Sequence, residues 1–317
     1  MTDTQNEVFK TPVNKIRLFE HGAPGSQNLK LTRKYYTEDM PDGRVKHIVQ
    51  NITDPDIVPY IPDGIGNSTD RQRIPAVLII PGGAFRRLVY NFEGEDVAKW
   101  LNSMGIAAFV LECRLPSDEH DNAEDVPLID AMRAMRVIRG RAQEFGIDEA
   151  KIGVMGFSAG GFMAALLSTA YESDVYADYK YKDEYDKLSA RPDFAVCSYP
   201  VISIDDCIEA GKRYMSEEQV LERISDSKAK ILHKYNPDKL VRPDMPPVFI
   251  CETDDDRTTL SETSDVAPKA PGMKYRHYAP KAQLVIVNGA PLEAVKAIRQ
   301  LVYEQMRKGN QVGIIAT

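Results

Sequence analysis

The stretch Lys151 to Phe162, KIGVMGFSAGGF, constrains this chain more than any other. An apolar run of strand character (Ile152, Val154, Met155) enters the turn Gly156-Phe157-Ser158-Ala159-Gly160 and leaves as a helix rich in Ala, Leu and Met. A Gly-x-Ser-x-Gly turn between strand and helix has the layout of a nucleophile elbow, which holds its central serine in a strained conformation at a strand's carboxyl end. Small residues flank such a serine because the strand and helix backbones approach closely there. Ser158 is therefore the candidate nucleophile. Taken alone, the pattern also suits an ordinary glycine-rich turn, so the surrounding chain has to decide.

From residue 76 onward, strand-like runs alternate with helix-period segments. The runs are Ala76–Pro81, Ile106–Glu112, Ile152–Gly156, Phe194–Ser198, Val248–Glu252 and Gln283–Val287. They are rich in Val and Ile without polar alternation, which implies strands of a parallel sheet buried on both faces. Leu128 to Phe145 is the clearest helix, with Leu128, Ile129, Met132, Met135, Val137 and Ile138 on one face and arginines 133, 136, 139 and 141 on others. Residues 1–75 mix short strand-like pieces (Ile16 to Phe19, Val45 to Ile52) with turn-rich spacers such as Pro62-Asp63-Gly64 and Gly66-Asn67-Ser68, and read as antiparallel strands at one sheet edge. The pattern predicts one doubly wound α/β domain over residues 1–317. About residues 168–235 it holds charged and tyrosine-rich helical insertions that serve either as a lid or as solvated surface.

Composition narrows the partners. The net charge of −7 and the lack of a clustered basic face argue against nucleic acid. The amino terminus MTDTQNEVFK is neither basic nor apolar, and no run approaches the roughly 18 apolar residues of a membrane span, so a cytoplasmic protein without a membrane partner is expected. The four cysteines, at 113, 197, 207 and 251, lack metal-ligand spacing and read as reduced core residues.

The run Ile79-Ile80-Pro81-Gly82-Gly83-Ala84-Phe85 ends the first parallel strand in a glycine pair. One βαβα interval ahead of an elbow, such a loop supplies backbone N–H groups to an oxyanion hole, here from Gly83 and Ala84, with the N–H of Ala159 as the second donor. With this loop, PAVLIIPGGAF (75–85), FEGEDVAKWLNSMGIAAFVLECRLP (92–116), PLIDAMRAMRVIRGRAQEFGIDEAKIGVMGFSAGG (127–161), RPDFAVCSYPVIS (191–203) and PPVFICETDDD (246–256) give a chain that resembles the acetyl-esterase-like branch of the α/β-hydrolase superfamily, related to acetylxylan esterases and hormone-sensitive-lipase-like esterases. The resemblance implies an α/β-hydrolase fold. It also implies a serine hydrolase of short acyl esters, often acetyl groups on sugars, that works through an acyl-serine intermediate and needs no metal or cofactor.

Chain order in that fold is serine, acid, histidine. Asp254, Asp255 and Asp256 follow the strand at 248–252, and the resemblance aligns Asp255 with the acid, although a run of three aspartates also suits a solvated turn. The family's histidine follows the last strand, where this chain has Asn288-Gly289-Ala290-Pro291-Leu292: Leu292 occupies the expected position. His277 follows the aspartates in chain order and is the candidate base, with His120, in the loop after the strand at 106–112, as a compensating alternative. His21, His47 and His233 read as surface residues.

Without an imidazole the serine hydroxyl has no neighbouring base, so three readings stand: an esterase acting on a small ester or acetylated sugar, a weak or inactive binding protein on the same scaffold, and an acyl transferase that uses the same serine and excludes water by a lid. The apolar tail Asn310 to Thr317, with Val312, Ile314 and Ile315, is expected to fold over the site mouth or to pair with another copy as a homo-oligomer.

Overall fold

The computed structural model describes residues 9, 12–64, 73–200, 212, 216 and 229–251. Five parallel strands form the centre: β5 (Ile74–Ile80), β7 (Ala107–Glu112), β8 (Ile147–Phe157), β9 (Ala195–Ser198) and β10 (Val248–Cys251). Two short strands, β1 (Ile16–Arg17) and β4 (Asp56–Tyr60), extend the sheet antiparallel at one edge, giving the order β1-β4-β7-β5-β8-β9-β10. β7 is buried along its whole length and β5 is nearly so, as Val- and Ile-rich runs without alternation require.

Four of the helices described are α1 (Asp96–Ser103), α2 (Val126–Gly140), α3 (Ala142–Phe145) and α4 (Ala159–Ala170), and Ala229–Lys234 forms a fifth, α5. α4 is buried from Ala159 to Thr169, apolar on every side, and packs against β8, β9 and α2. Its two polar residues turn back on the helix: Ser168 Oγ donates to the Ala164 carbonyl at 2.7 Å and Thr169 Oγ1 to that of Ala165 at 3.2 Å. Ser168 therefore belongs to the central helix. The charged stretch after it contains one 3-10 turn, Glu184–Lys187, rather than a long helix.

The expected edge strands are present, and the amino-terminal region also builds a separate antiparallel sheet. β2 (Lys34–Asp39), β3 (Val45–Gln50) and β6 (Leu88–Val89) pair in that order. A buried ion cluster ties this region to the main sheet. Glu112, with no exposed surface, accepts from Lys15 Nζ at 2.6 Å and Arg33 Nη1 at 2.7 Å, and the same Arg33 atom meets Asp56 at 2.6 Å.

The single helix expected over 128–145 is two. Arg141, at φ −102° and ψ 16°, ends α2 and begins α3, because its backbone leaves the helical well. Arg133 also departs from the expected outward face. It is 4% exposed, donates through Nε to the Leu18 carbonyl at 2.9 Å and pairs with Asp183 and Asp186, so the helix buries a guanidinium paired with two carboxylates.

Cys113 and Cys197 are buried free thiols and Cys251 is half-buried. Cys207 and the run at 283–287 lie outside the described residues, as does most of 201–228. Among the described residues, no helix is long and apolar enough to cross a membrane.

Candidate active site

The site builds from the carboxyl ends of β5, β8 and β9, where open parallel sheets gather their functional residues. Register aligns them: Ile80 pairs with Gly156, Phe157 with Ser198, and Ser198 with Cys251. Ser158 follows the last residue of β8 and precedes the first of α4, with φ 51° and ψ −115°. That conformation is sparsely populated for a side chain with a Cβ and is the strained geometry the elbow pattern predicts. It is held from both sides, by the Ser158 N–H donating to the Ser198 carbonyl at 2.9 Å and the Phe162 N–H to the Ser158 carbonyl at 3.0 Å. The elbow packs so closely on β5 that a Cβ at Gly160 would overlap the Ile80 carbonyl oxygen.

The glycine loop lies directly against the serine. A Cβ built at Gly82 would stand 3.1 Å from Ser158 Cβ and 2.6 Å from Glu93 Oε2. Past it, Gly83 takes φ 138°, and Ala84 and Phe85 take φ 57° and 60°, the left-handed region that strains any residue with a side chain. The loop carbonyls are consumed by its own turn: Val89 N–H donates to Gly82 O at 2.9 Å and Arg86 N–H to Gly83 O at 3.2 Å. Each peptide is trans, so the N–H points opposite its carbonyl and away from those turns. The N–H groups of Gly83 and Ala84 make no hydrogen bond among the described residues, and that of Ala159 sits in the first turn of α4, where no intrahelical acceptor exists.

Sequence reasoning missed two residues that the fold brings here. Glu93 lies in a π-helical turn (Asn91–Glu95) that enters α1, and Tyr199 follows β9. The half-buried Glu93 carboxylate accepts from the Gly82 N–H at 2.7 Å and from the Tyr199 hydroxyl at 3.0 Å. Burial raises its pKa above the usual carboxylate range, against the opposing pull of Tyr199, of the Gly82 N–H and of the Lys46 charge. Burial and the adjacent Glu93 charge raise that of the Tyr199 hydroxyl, so it stays protonated and donates. No local signal singled Glu93 out, because it is one of three acidic residues, with Glu95 and Asp96, at the entry to α1.

None of His21, His47 and His120 hydrogen-bonds Ser158. His120 is buried and its Nδ1 meets Ser26 Oγ at 3.0 Å, while Nε2 has no partner among the described residues. Burial, and then the Arg114 charge, push its pKa down to about 4, so it is neutral near pH 7. His47 is half-buried, not a surface residue, because its ring stacks on Phe9 at 4.5 Å between centroids. His21 is exposed beside Tyr181, and His233 falls in α5. No described side chain hydrogen-bonds Ser158 Oγ. Asp254, Asp255, Asp256, His277, Leu292 and the tail at 310–317 lie outside the described residues.

Comparison with known proteins now decides the family. Residues 65–269 match the BD-FAE family model, well over half of the chain. The chain belongs to the BD-FAE family. Its fold is the α/β-hydrolase fold of the acetyl-esterase-like group. This BD-FAE chain is 31% identical over 192 residues to an acetylxylan esterase of Xylanibacter ruminicola, a match covering 60% of this chain and 35% of that one. It thus spans about a third of the length of that curated relative. Among solved structures, an acetyl ester-xyloside bifunctional hydrolase from Caldicellulosiruptor lactoaceticus is 32% identical with a TM-score of 0.50, covering 74% of this chain and 72% of the other. A second match overlaps the first. Residues 238–317 fit the threonylcarbamoyl-AMP synthase C-terminal domain model, and a threonylcarbamoyl-AMP synthase of Pyrococcus abyssi is 43% identical over 49 residues, 16% of this chain and 14% of that one.

Proposed function

We propose that this BD-FAE protein hydrolyses short-chain carboxylic esters, acetyl esters of carbohydrates in particular, with Ser158 as nucleophile. The observation that carries this reading is the elbow itself: Ser158 strained at φ 51° and ψ −115°, with the Gly82 loop 3.1 Å from its Cβ by the ruler of an added Cβ. In this mechanism Ser158 Oγ attacks the ester carbonyl, and its proton passes through the base to the leaving alcohol. The N–H groups of Gly83, Ala84 and Ala159 receive the negative charge on the carbonyl oxygen, and water then releases the acyl group. Asp255 and His277 complete the triad in the order serine, acid, histidine, Asp255 orienting the imidazole. The acetylated-sugar substrate class is supported by the names of the xylan-related relatives.

A second reading, a hydrolase-fold protein that binds its ligand without efficient turnover, is favoured by one observation. His277 lies beyond residue 269, where the BD-FAE match ends, and inside the stretch that fits a different domain model. The same observation supports treating the carboxyl-terminal stretch as a separate module rather than the end of one hydrolase domain.

Steady-state hydrolysis of a chromogenic acetate ester by the full chain, beside Ser158→Ala and His277→Ala, separates the readings. The esterase reading expects both variants to lose about a thousandfold or more in kcat, as triad members do. A full chain no faster than Ser158→Ala would overturn it and leave the binding reading.

A further inference from the structure

Between the glycine loop and the end of β9 lies a polar contact that the triad scheme does not use. Glu93 is fixed by two donors from different elements, the Gly82 N–H at 2.7 Å and the Tyr199 hydroxyl at 3.0 Å. Gly82 lies against Ser158, whose Cβ would stand 3.1 Å from a Cβ added at Gly82. Tyr199 is bound to the elbow by its neighbours: Ser198 accepts the Ser158 N–H, and the Tyr199 ring stands 6.1 Å from that of Phe157. Tyr199 itself is strained, at φ 37°, and its N–H donates to the Cys251 carbonyl at 2.7 Å. A non-glycine residue keeps such a backbone only where the surroundings over-determine it, and here β10, Glu93 and the elbow do so together.

The consequence for the loop is geometric. The Gly82 N–H is turned toward Glu93 and is unavailable to a substrate. Its carbonyl is turned to Val89. With both ends of this residue's hydrogen-bonding capacity committed, the next two peptides have little freedom, and their N–H groups are the ones left open. A carboxylate is the acceptor suited to this task, because its two oxygens serve two donors at once.

We propose that Glu93, braced by Tyr199, is the positioning residue that sets the oxyanion loop against Ser158. The proposal rests on the esterase reading for its catalytic meaning, and on the loop geometry alone for its structural meaning. Glu93 touches neither substrate nor Ser158 Oγ in this role. It acts through the orientation of the Gly83 and Ala84 peptides, so its loss weakens stabilisation of the transition state more than binding of the ground state.

The test uses the full chain with Glu93→Ala, Glu93→Gln, Tyr199→Phe and Ser158→Ala. Glu93→Ala is expected to lower kcat for a chromogenic acetate ester about 30- to 300-fold with KM changed less than threefold, the scale of a misplaced oxyanion donor. Glu93→Gln keeps an oxygen for the Gly82 N–H and an amide for the tyrosine oxygen, and is expected to restore most of the loss. Tyr199→Phe, which removes only the brace, is expected to lose about three- to tenfold. Amide hydrogen exchange over residues 81–85 is measured on the same proteins, with about a tenfold or greater acceleration expected in Glu93→Ala at the Gly82 amide, the loop amide that Glu93 holds, and none in the peptide covering β8. If the parent is no faster than Ser158→Ala, the esterase reading fails and the exchange result alone decides the positioning role. Glu93→Ala within twofold of the parent in kcat, or unchanged exchange at 81–85, would overturn the proposal. Equal loss in Glu93→Ala and Glu93→Gln with KM raised in step would overturn it as well. If Glu93→Ala does not fold, Tyr199→Phe and Glu93→Gln carry the comparison.

Discussion

Arg114 and Asp130 meet with no exposed surface on either side chain, Nη2 to Oδ1 at 2.7 Å and Nε to Oδ1 at 3.0 Å, while the Arg114 backbone N–H donates to Oδ2 at 2.8 Å. The pair joins the end of β7 to the first turns of α2, and Arg114 Nη1 continues to Ser26 Oγ at 2.8 Å, drawing in the amino-terminal segment. Removing one partner leaves a buried charge without its counterion, at a cost of about 3–5 kcal/mol. Asp130→Ala is therefore expected to lose about that much in urea denaturation. The double variant Arg114→Met/Asp130→Leu is expected to lose less than the sum of the single changes. Strict additivity would show that the two do not act as a pair.

Ser158 offers a direct test of stored strain. A residue with a Cβ at φ 51° and ψ −115° costs about 1–3 kcal/mol, and glycine relieves it. Ser158→Gly is expected to be about 1 kcal/mol more stable than Ser158→Ala in chemical denaturation, with both equally inactive. A glycine variant less stable than the alanine one would remove strain from the account.

Stability should respond to acid through His120. Its folded pKa is about 4, below the ordinary 6.5, so the unfolded chain binds the proton more readily. The stability this group contributes is complete above pH 6.5 and is lost as pH falls toward 4. Asp56 acts in the opposite sense in the same window, because burial, followed by the Glu112 charge, pushes its pKa up to about 6. The difference between parent and His120→Gln isolates the histidine. The parent's advantage in urea midpoint is expected to shrink steadily from pH 7 to pH 4.5; a constant difference would contradict the shift.

Arg133 anchors the segment after α4. Its guanidinium meets Asp183 Oδ1 at 2.7 Å and Asp186 at 3.1 Å and stacks over the rings of Phe19 and Tyr185. Arg133→Met keeps the stem but abandons two carboxylates, and is expected to cost about 2–4 kcal/mol. Limited proteolysis should then cut within 171–192 faster than in the parent, because that stretch loses its ion pairs from Asp183 and Asp186 to α2. Cleavage first appearing elsewhere would indicate that Arg133 stabilises the core rather than the segment.

The central strands and the elbow were readable because their signals are local. A strand buried on both faces must be apolar throughout, and a serine between closely packed backbones must have glycines beside it, whatever the rest of the chain does. The alignment of α2 was readable in the same way, through Leu128, Met132 and Met135. Its Arg133 was not, because helical spacing shows which side chains share a face and not which distant carboxylate reaches back to neutralise one of them.

Nor does anything near Glu93 in the sequence announce Gly82 or Tyr199, eleven residues before it and 106 after it. The amino-terminal residues were read as edge strands from their turn spacing. Their separation into β1 and β4 on the main sheet and β2, β3 and β6 in a second one follows from partners such as Glu112 and Val89 that lie far along the chain. By itself, then, the amino-acid order determined the parallel α/β sheet and the serine at the tip of β8, since both depend on neighbours within a few residues. The tertiary structure alone decided which carboxylate holds the glycine loop, which arginines are buried and where His120 goes, because each depends on the free energy of bringing a charge or a polar atom to a partner the chain order does not reveal.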